Sequence, residues 1–541
     1  MARGRGSRWP ASRIAWLVVL GVQIAWGLWF VWRTSFAIDG VRTFCLFDDA
    51  MTSMTYARNL VEGHGLVWAR FGAPVEGFTC PLWTFLMVPV HLLPLGLQRT
   101  SLVVQLLSLT VLVLNVVAVG RLARAHFSPA GAGLVGWLPA VVLTALYYPL
   151  HHWSLQGMET GLQALLVTLA VLLSLDLSAE ERAPGRRRYG ALAAVLAAAY
   201  LTRMDMALLV VLALAFVAWR RGFPRARWRS WLPGLGLLAI AVAGYQLFRW
   251  LYFGDVLPNT YYLKLTGVPL DVRLLRGLWT LGRFLLPLAP VLAVIAAGLP
   301  ALLRRDRRAL LPVAVVLAYL AYSAWVGGDA WEEAGVGANR FVAFVMPLVF
   351  VLFNAVVSHS VTRGWRDRRR LGTAAATLAT AAALLLANQL WPLGPREGWR
   401  RFLVLERPLL VDGHERFVRR TLRLQASGLV PAGGRVAVVW SGIPAYFSDW
   451  EMVDLLGYND RWVARQASSI PLTRASFRAF RPGHGKLGYE HALRVHRPDL
   501  VFQSWRPDGE DWSAELRRHG YRRRGAYWVR PSAISGSRPR S

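Results

Sequence analysis

Apolar stretches of about 20 residues recur from Ile14 to about Asn388, and very few architectures accept such a chain. A bilayer core roughly 30 Å thick asks for about 20 apolar residues from each helix that crosses it, with every backbone amide satisfied inside the helix. On that basis the spans predicted are 14–33, 100–120, 133–150, 160–177, 190–201, 206–219, 231–251, 281–301, 309–325, 341–358 and 371–390, about eleven in all. Only 17% of the 541 residues are charged, against roughly 25% in soluble domains, which leaves too little polar surface for a water-soluble protein of this length. The fold class expected is mainly α: a polytopic transmembrane helical bundle over residues 1–390, followed over 391–541 by an extracytoplasmic α/β domain.

The net charge of +31 points to a polyanion partner in a soluble protein. Here the arginines sit in short linkers between apolar stretches (3–13, 121–124, 182–188, 220–229, 304–308 and 363–370), where they set orientation, so no nucleic-acid partner is inferred. Taking those clusters as cytoplasmic puts the amino terminus inside and the acidic loops outside. The apolar stretch 81–95 would upset this parity by crossing; it reads as an interfacial helix anchored by Trp83, with a twelve-span arrangement as the alternative. Past the last span, an amphipathic helix over 400–425, the strand RVAVVW ending at Trp440, a turn at Ser441–Pro444 and the strand PDLVFQ ending at Gln503 alternate as in a small α/β domain.

The loop from Phe47 to Trp83 is the richest in chemistry. Asp48 and Asp49 follow the first span, and a carboxylate near low dielectric has a raised pKa and can act as a base. A helix N-cap would explain one of the two. Glu62 with His64, and Glu76, each stand beside glycines that permit positive φ and close approach of a ligand. A lone loop histidine is a weak metal ligand. Other outward loops add Glu159, the hinge residues Arg203 and Asp205, then Asn259, Tyr261 and Lys264, then Asp329 with Arg340. Ionisable groups at span ends are candidates for function, although Lys and Arg there also snorkel to the interface. Cys45 and Cys80 flank the loop, and whether they pair is open. Converging carboxylates, cations and aromatic rings suit a sugar phosphate, whose leaving group departs without a second acid.

The ordered set DDA, YARNL, EGHGLV, VEGFT and PLW, then GMET, YFGDVLPNTYYLK, VGGD with Arg340, DLLGYND and RPGHGK, resembles bacterial GT-C glycosyltransferases that use polyprenyl-phosphate sugars. It is most similar to those of the actinobacterial terminal arabinofuranosyltransferase group. The resemblance implies a GT-C bundle in the bacterial plasma membrane and an inverting transfer, arabinofuranose being one candidate sugar, to a cell-envelope glycan or glycolipid. It also implies Asp48 or Asp49 as base, Arg203, Lys264 and Arg340 as donor-phosphate ligands, and Glu62, His64, Glu76, Glu159, Asp205, Asn259, Tyr261 and Asp329 as substrate contacts. Some members bind a divalent cation at acids of this loop; Asp48 and Asp49 would then hold Mg, Mn or Ca. Two other readings stay open: a lipid or solute transporter, and a non-catalytic envelope scaffold.

Overall fold

The structure is a computed structural model and describes residues 11–179, 185–222, 228–331, 339–364, 409–505, 509 and 511–531. Helix α1 (Ala11–Thr34) turns Leu17, Val18, Val22, Trp29 and Trp32 outward, and such a face is stable against lipid rather than water. A hairpin follows, β1 (Phe36–Ile38) with β2 (Val41–Thr43). Its two-residue loop, Asp39–Gly40, holds both residues at positive φ (48° and 80°), which is why an Asp-Gly pair stands there.

Next come α2 (Asp48–Val61), α3 (Pro81–His91), α4 (Leu97–Leu122), α5 (Leu138–Leu146), α6 (Tyr148–Leu155), α7 (Thr160–Ala179), α8 (Arg186–Thr202), α9 (Ala207–Arg221) and α10 (Trp228–Phe253). The bundle is completed by α11 (Asn259–Leu265), α12 (Leu270–Leu285), α13 (Ala289–Arg305), α14 (Leu310–Val326), α15 (Arg340–Ala343) and α16 (Met346–Gly364). The main packed pairs are α8 with α10, α4 with α7, α7 with α8, and α12 with α14. Among the described residues five helices are long and apolar enough to cross a membrane: those at Ala11–Thr34, Leu97–Phe127, Thr160–Ala179, Arg229–Phe253 and Arg307–Val326. The expected spans 190–201 and 206–219 are indeed short, α8 having 17 residues and α9 15. At 1.5 Å per residue they reach roughly 22–26 Å.

Two expected spans are broken. Residues 133–150 divide into α5 and α6, because Pro149 cannot supply the N–H that a continuous helix needs and Tyr147 turns extended (ψ 97°). The expected 281–301 straddles the junction of α12 and α13, where the sequence places Pro287 and Pro290. The stretch 81–95 is helical only over α3, which packs on α2 and α8. The expected span 371–390, residues 400–408 of the amphipathic helix and the 390/391 domain boundary lie outside the described residues.

The carboxy-terminal part opens with the amphipathic helix α17 (Leu409–Ala426) and continues into a five-stranded mixed sheet. Strand β3 (Arg435–Val438) runs parallel to β4 (Glu451–Asp454) and to β5 (Leu500–Val501). The edge is built antiparallel by β6 (Arg522–Arg524) and β7 (Tyr527–Val529), in the order β4-β3-β5-β7-β6. The strand period of two sorts the side chains. Val436, Val438, Leu500 and Val529 face Trp68, Phe78 and Phe253 from the preceding region, whereas Ala437, Val453, Val501 and Trp528 face Tyr489, Leu493 and Leu516. One face of the sheet is therefore seated on the 47–83 loop. The fold is thus a polytopic helical bundle with a C-terminal α/β domain, as expected.

Candidate active site

Polar locks hold the sheet domain to that loop. The Arg58 guanidinium, on α2, donates to the Tyr446 and Ser448 carbonyls (2.9 and 3.1 Å) and pairs with Asp449 at 2.6 Å. Trp68 Nε1 donates to the Ser441 carbonyl at 3.0 Å, and the Asn259 amide donates to the carbonyls of Gly457 and Tyr458 (2.8 and 2.9 Å). Gly442 is required at its position: its Cα lies against the Asp48 carbonyl, and a Cβ there would overlap that oxygen. Gly77 meets the Asn459 side chain in the same way.

This junction encloses two connected cavities of about 850 and 690 Å³. They share walls at Thr79, Arg203, Thr260, Lys264, Arg340 and Tyr458. Asp48 begins α2 and accepts hydrogen bonds from the backbone N–H groups of Gly442 (3.0 Å) and Ile443 (2.9 Å). Burial pushes its carboxyl up to about 7, although those two amides pull the other way; the neighbouring Asp49 charge adds to the rise. Asp49 instead pairs with Arg340 at 2.8 Å. Arg340 is held from its other side by Asp329, whose oxygens accept its Nε (3.0 Å), its second guanidinium nitrogen (3.2 Å) and its backbone N–H (3.0 Å). Burial would raise Asp329, but Arg340 outweighs it and keeps that carboxyl below its usual range.

Arg203 occupies an extended position (φ −158°, ψ 141°) that ends α8 and turns the chain into α9. It bridges Glu159 at 2.9 Å and Asp205 at 2.7 Å. Lys264, on α11, is different. Among the described residues it has no carboxylate partner, and its ammonium faces the Tyr458 ring at 5.5 Å. Burial, and after it the positive charge of Arg340, bring it down to about 8. The larger cavity adds the apolar side chains of Leu257, Leu265 and Val326 beside Tyr261 and Tyr322.

Of the residues singled out from sequence, Asp48, Asp49, Glu159, Arg203, Asp205, Tyr261, Lys264, Asp329 and Arg340 line these cavities. Four do not. Glu62 ends α2 and pairs with Arg58 (2.6 Å) and Arg70 (3.0 Å), while His64 is exposed beside it. Glu76 is buried with Arg249 and Tyr245, and Asn259 fastens the Gly457–Tyr458 turn. Each has a bonding role that a linear sequence hides. Cys45 and Cys80 are both buried free thiols, so the bridge left open above does not form; Cys80 lies 3.5 Å from the Ser53 hydroxyl.

The structure adds Tyr458, Trp331, Trp440 and His484 to the cavity wall. The three aromatic rings of Trp331, Trp440 and Tyr458 surround His484, which burial holds at about 4 and hence neutral. Tyr458 and His484 lie in the DLLGYND and RPGHGK motifs, whereas Trp331 follows VGGDA and Trp440 ends the strand RVAVVW, where nothing local marks a cavity wall. For a divalent cation, Asp48 is engaged by two amides and Asp49 by a guanidinium, and among the described residues no third His, Cys, Asp or Glu joins them within ligand reach.

Residues 414–535 match a family described as a domain of unknown function, DUF8728. No curated protein matches the chain. Among solved structures, ArnT from Cupriavidus metallidurans in the apo state superposes with a TM-score of 0.57 at 14% identity, covering 97% of this chain and 100% of that one. The same protein bound to undecaprenyl phosphate gives 0.51 at 13% identity over 82% and 86%. The arabinofuranosyltransferase AftD from Mycobacteria reaches only 0.44 at 16% identity, over 87% of this chain and 34% of that one, which carries no argument about the sugar. The chain shares its fold with ArnT, and among its described residues has helices able to cross a membrane.

Proposed function

We propose that the chain is an integral-membrane, inverting glycosyltransferase that moves a sugar from a polyprenyl-phosphate donor to a hydroxyl of a cell-envelope glycan or glycolipid. In this reading residues 1–390 form the catalytic membrane domain of a bacterial plasma-membrane protein with its amino terminus in the cytoplasm. Residues 391–541 form an extracytoplasmic domain that closes the cavity from outside. Arabinofuranose is the sugar to try first, on the strength of the motif resemblance.

Asp48 acts as the base. A group that titrates near 7 is about half deprotonated at neutral pH while keeping real proton affinity, the compromise that general-base catalysis favours. Asp49, committed to Arg340, is the weaker candidate and serves to orient that guanidinium. As Asp48 removes the acceptor proton, the acceptor oxygen bonds to the anomeric carbon and the bond from that carbon to the phosphate oxygen breaks. The electron pair goes to the departing polyprenyl phosphate, whose charge is met by Lys264, with Arg340 and Arg203 behind it.

The observation that carries the reading is Lys264. A half-buried ammonium that among the described residues forms no ion pair, in the same cavity as a base and with only the more distant charges of Asp49 and Asp329 to balance it, is a place for an anion. A phosphate supplies one, and Leu257, Leu265 and Val326 suit an isoprenoid tail. The test is transfer of radiolabelled sugar from a panel of polyprenyl-phosphate donors in membranes containing wild type or the folded Asp48→Asn variant. Transfer from one donor that disappears in the variant supports the reading. Intact protein that transfers from no donor to any envelope acceptor overturns it in favour of a transporter or scaffold.

A further inference from the structure

On the other side of the loop that carries Tyr458 lies a third cavity, about 840 Å³, which shares no lining residue with the first two and is lined by Tyr56, Trp68, Phe71 and Trp462. Asp460, His491 and His496 meet in its wall, each with a ligand atom within 4.8 Å of the others. They come together through defined backbone devices. Asp460 caps the one-turn helix Arg461–Ala464, its Oδ1 accepting the Val463 N–H at 2.9 Å. Its Oδ2 is thereby fixed 3.5 Å from His496 Nε2.

His491 and His496 are five residues apart across a π-turn over Ala492–His496, closed by the Arg497 N–H donating to the Ala492 carbonyl at 2.9 Å. In an α-helix this spacing would place the two rings about 140° apart around the axis; the wider π-turn brings them to one side, their centroids 5.2 Å apart. π-Bulges of this kind concentrate at functional sites. Each ring is also held in place: His491 stacks on Trp462 at 4.0 Å, and His496 leans on Phe71 at 5.6 Å.

An ion pair between His496 and Asp460 explains two of these three residues. It leaves His491 with no hydrogen-bond partner among the described residues, facing a second imidazole. A metal ion explains all three. Ligand bonds of 2.0–2.1 Å around a tetrahedral centre separate neighbouring ligand atoms by roughly 3.4 Å, which the His496–Asp460 separation already matches. We propose that Asp460, His491 and His496 form a two-histidine, one-carboxylate site for a zinc-class divalent cation, with a fourth position open to the third cavity. Two imidazoles favour Zn²⁺, Co²⁺ or Ni²⁺ over Mg²⁺ or Ca²⁺. The ion would brace the turn from Asp454 to Asp460, in which Asp454 gathers the N–H groups of Leu456, Gly457 and Asn459, and so steady Tyr458 opposite Lys264.

The experiment uses the full chain in detergent, purified without a polyhistidine tag and stripped with chelator. Zn²⁺ is titrated by calorimetry and Co²⁺ by its visible spectrum, with thermal unfolding followed with and without Zn²⁺. Wild type is expected to take up one equivalent of Zn²⁺, to show Co²⁺ d–d bands displaced by Zn²⁺, and to unfold at a higher temperature with the ion. His491→Ala and His496→Ala should each weaken binding at least tenfold, roughly the scale of disturbing a metal's supporting residues, and lose the thermal shift. His64→Ala should bind as wild type does. If an alanine variant unfolds early, glutamine at the same position preserves bulk without an imidazole and must show the same loss. A wild type that binds neither ion, or histidine variants that bind as tightly as it does, overturns the proposal, and either result is independent of whether sugar transfer is observed.

Discussion

Two acids of the 47–83 loop sit at the junction of bundle and sheet, Glu76 buried and Asp48 half-buried on a cavity wall, and their surroundings differ in kind. Glu76 is 2% exposed and fully matched: Arg249 pairs with it at 2.5 Å and the Tyr245 hydroxyl donates to it at 2.6 Å. Among the described residues the Asp48 carboxylate accepts only from two backbone amides, and the Lys264 ammonium, which has no ion-pair partner there, lines the same cavity. A saturated buried pair is a fastening between the loop and α10. A half-buried acid and a half-buried ammonium on one cavity wall, not paired with each other, leave room for a third group between them. Partner count and access to the cavity together separate architecture from chemistry here.

The sharpest way to break this contrast is to remove Asp48 and Glu76 in parallel. Asp48→Asn should lower the turnover number by about 10²–10⁴-fold, the usual share of a general base, with thermal unfolding close to wild type. Radiometric transfer and unfolding on the same preparation check both halves. Glu76→Ala should do the reverse, destabilising by about 3–5 kcal/mol because Arg249 is left as an unpaired buried charge. An Asp48→Asn protein that unfolds early would erase the distinction.

Lys264→Met should weaken binding of undecaprenyl phosphate by about 10–100-fold, on the scale of one charged hydrogen-bond donor lost. Unfolding should hardly change, since no carboxylate is orphaned. A smaller effect is expected with pH. Activity should rise as pH climbs through about 7, where Asp48 loses its proton and becomes a base, and fall above about 8, where Lys264 loses its charge. The rising limb should be absent from whatever activity Asp48→Asn retains, and the falling limb from Lys264→Met. Smallest of all, reductant and the Cys45→Ser change should leave transfer unaltered, because both thiols are free.

What could be read from the sequence follows a physical boundary. The apolar periods, the helix ends at Thr202 and Val326, and the placement of cations and acids just beyond them are local, and the structure gathers Asp48, Asp49, Arg203, Lys264, Asp329 and Arg340 where those ends meet. Span breaks at Tyr147 and Leu286–Leu288 are locally encoded too, by prolines, but an unbroken run of hydrophobicity masks them. The four residues with other roles, Glu62, His64, Glu76 and Asn259, carry the same side chains as the cavity residues. Only their partners, Arg58, Arg249 and the Gly457–Tyr458 turn, set them apart.

The sequence by itself determined that this chain needs a bilayer, that a polar sheet domain follows the helices, and which loops hold its ionisable groups, because hydrophobic length and strand alternation are properties of neighbouring residues. Only the tertiary structure decided that the Gly442 and Ile443 amides would hold Asp48, that Arg340 would be claimed by Asp49 and Asp329 while Lys264 has no ion-pair partner among the described residues, and that a π-turn would set two histidines beside Asp460. Those pairings join groups up to several hundred residues apart, and the energy that selects them is the cost of burying a charge or an amide without a partner, which exists only once the chain has closed around it.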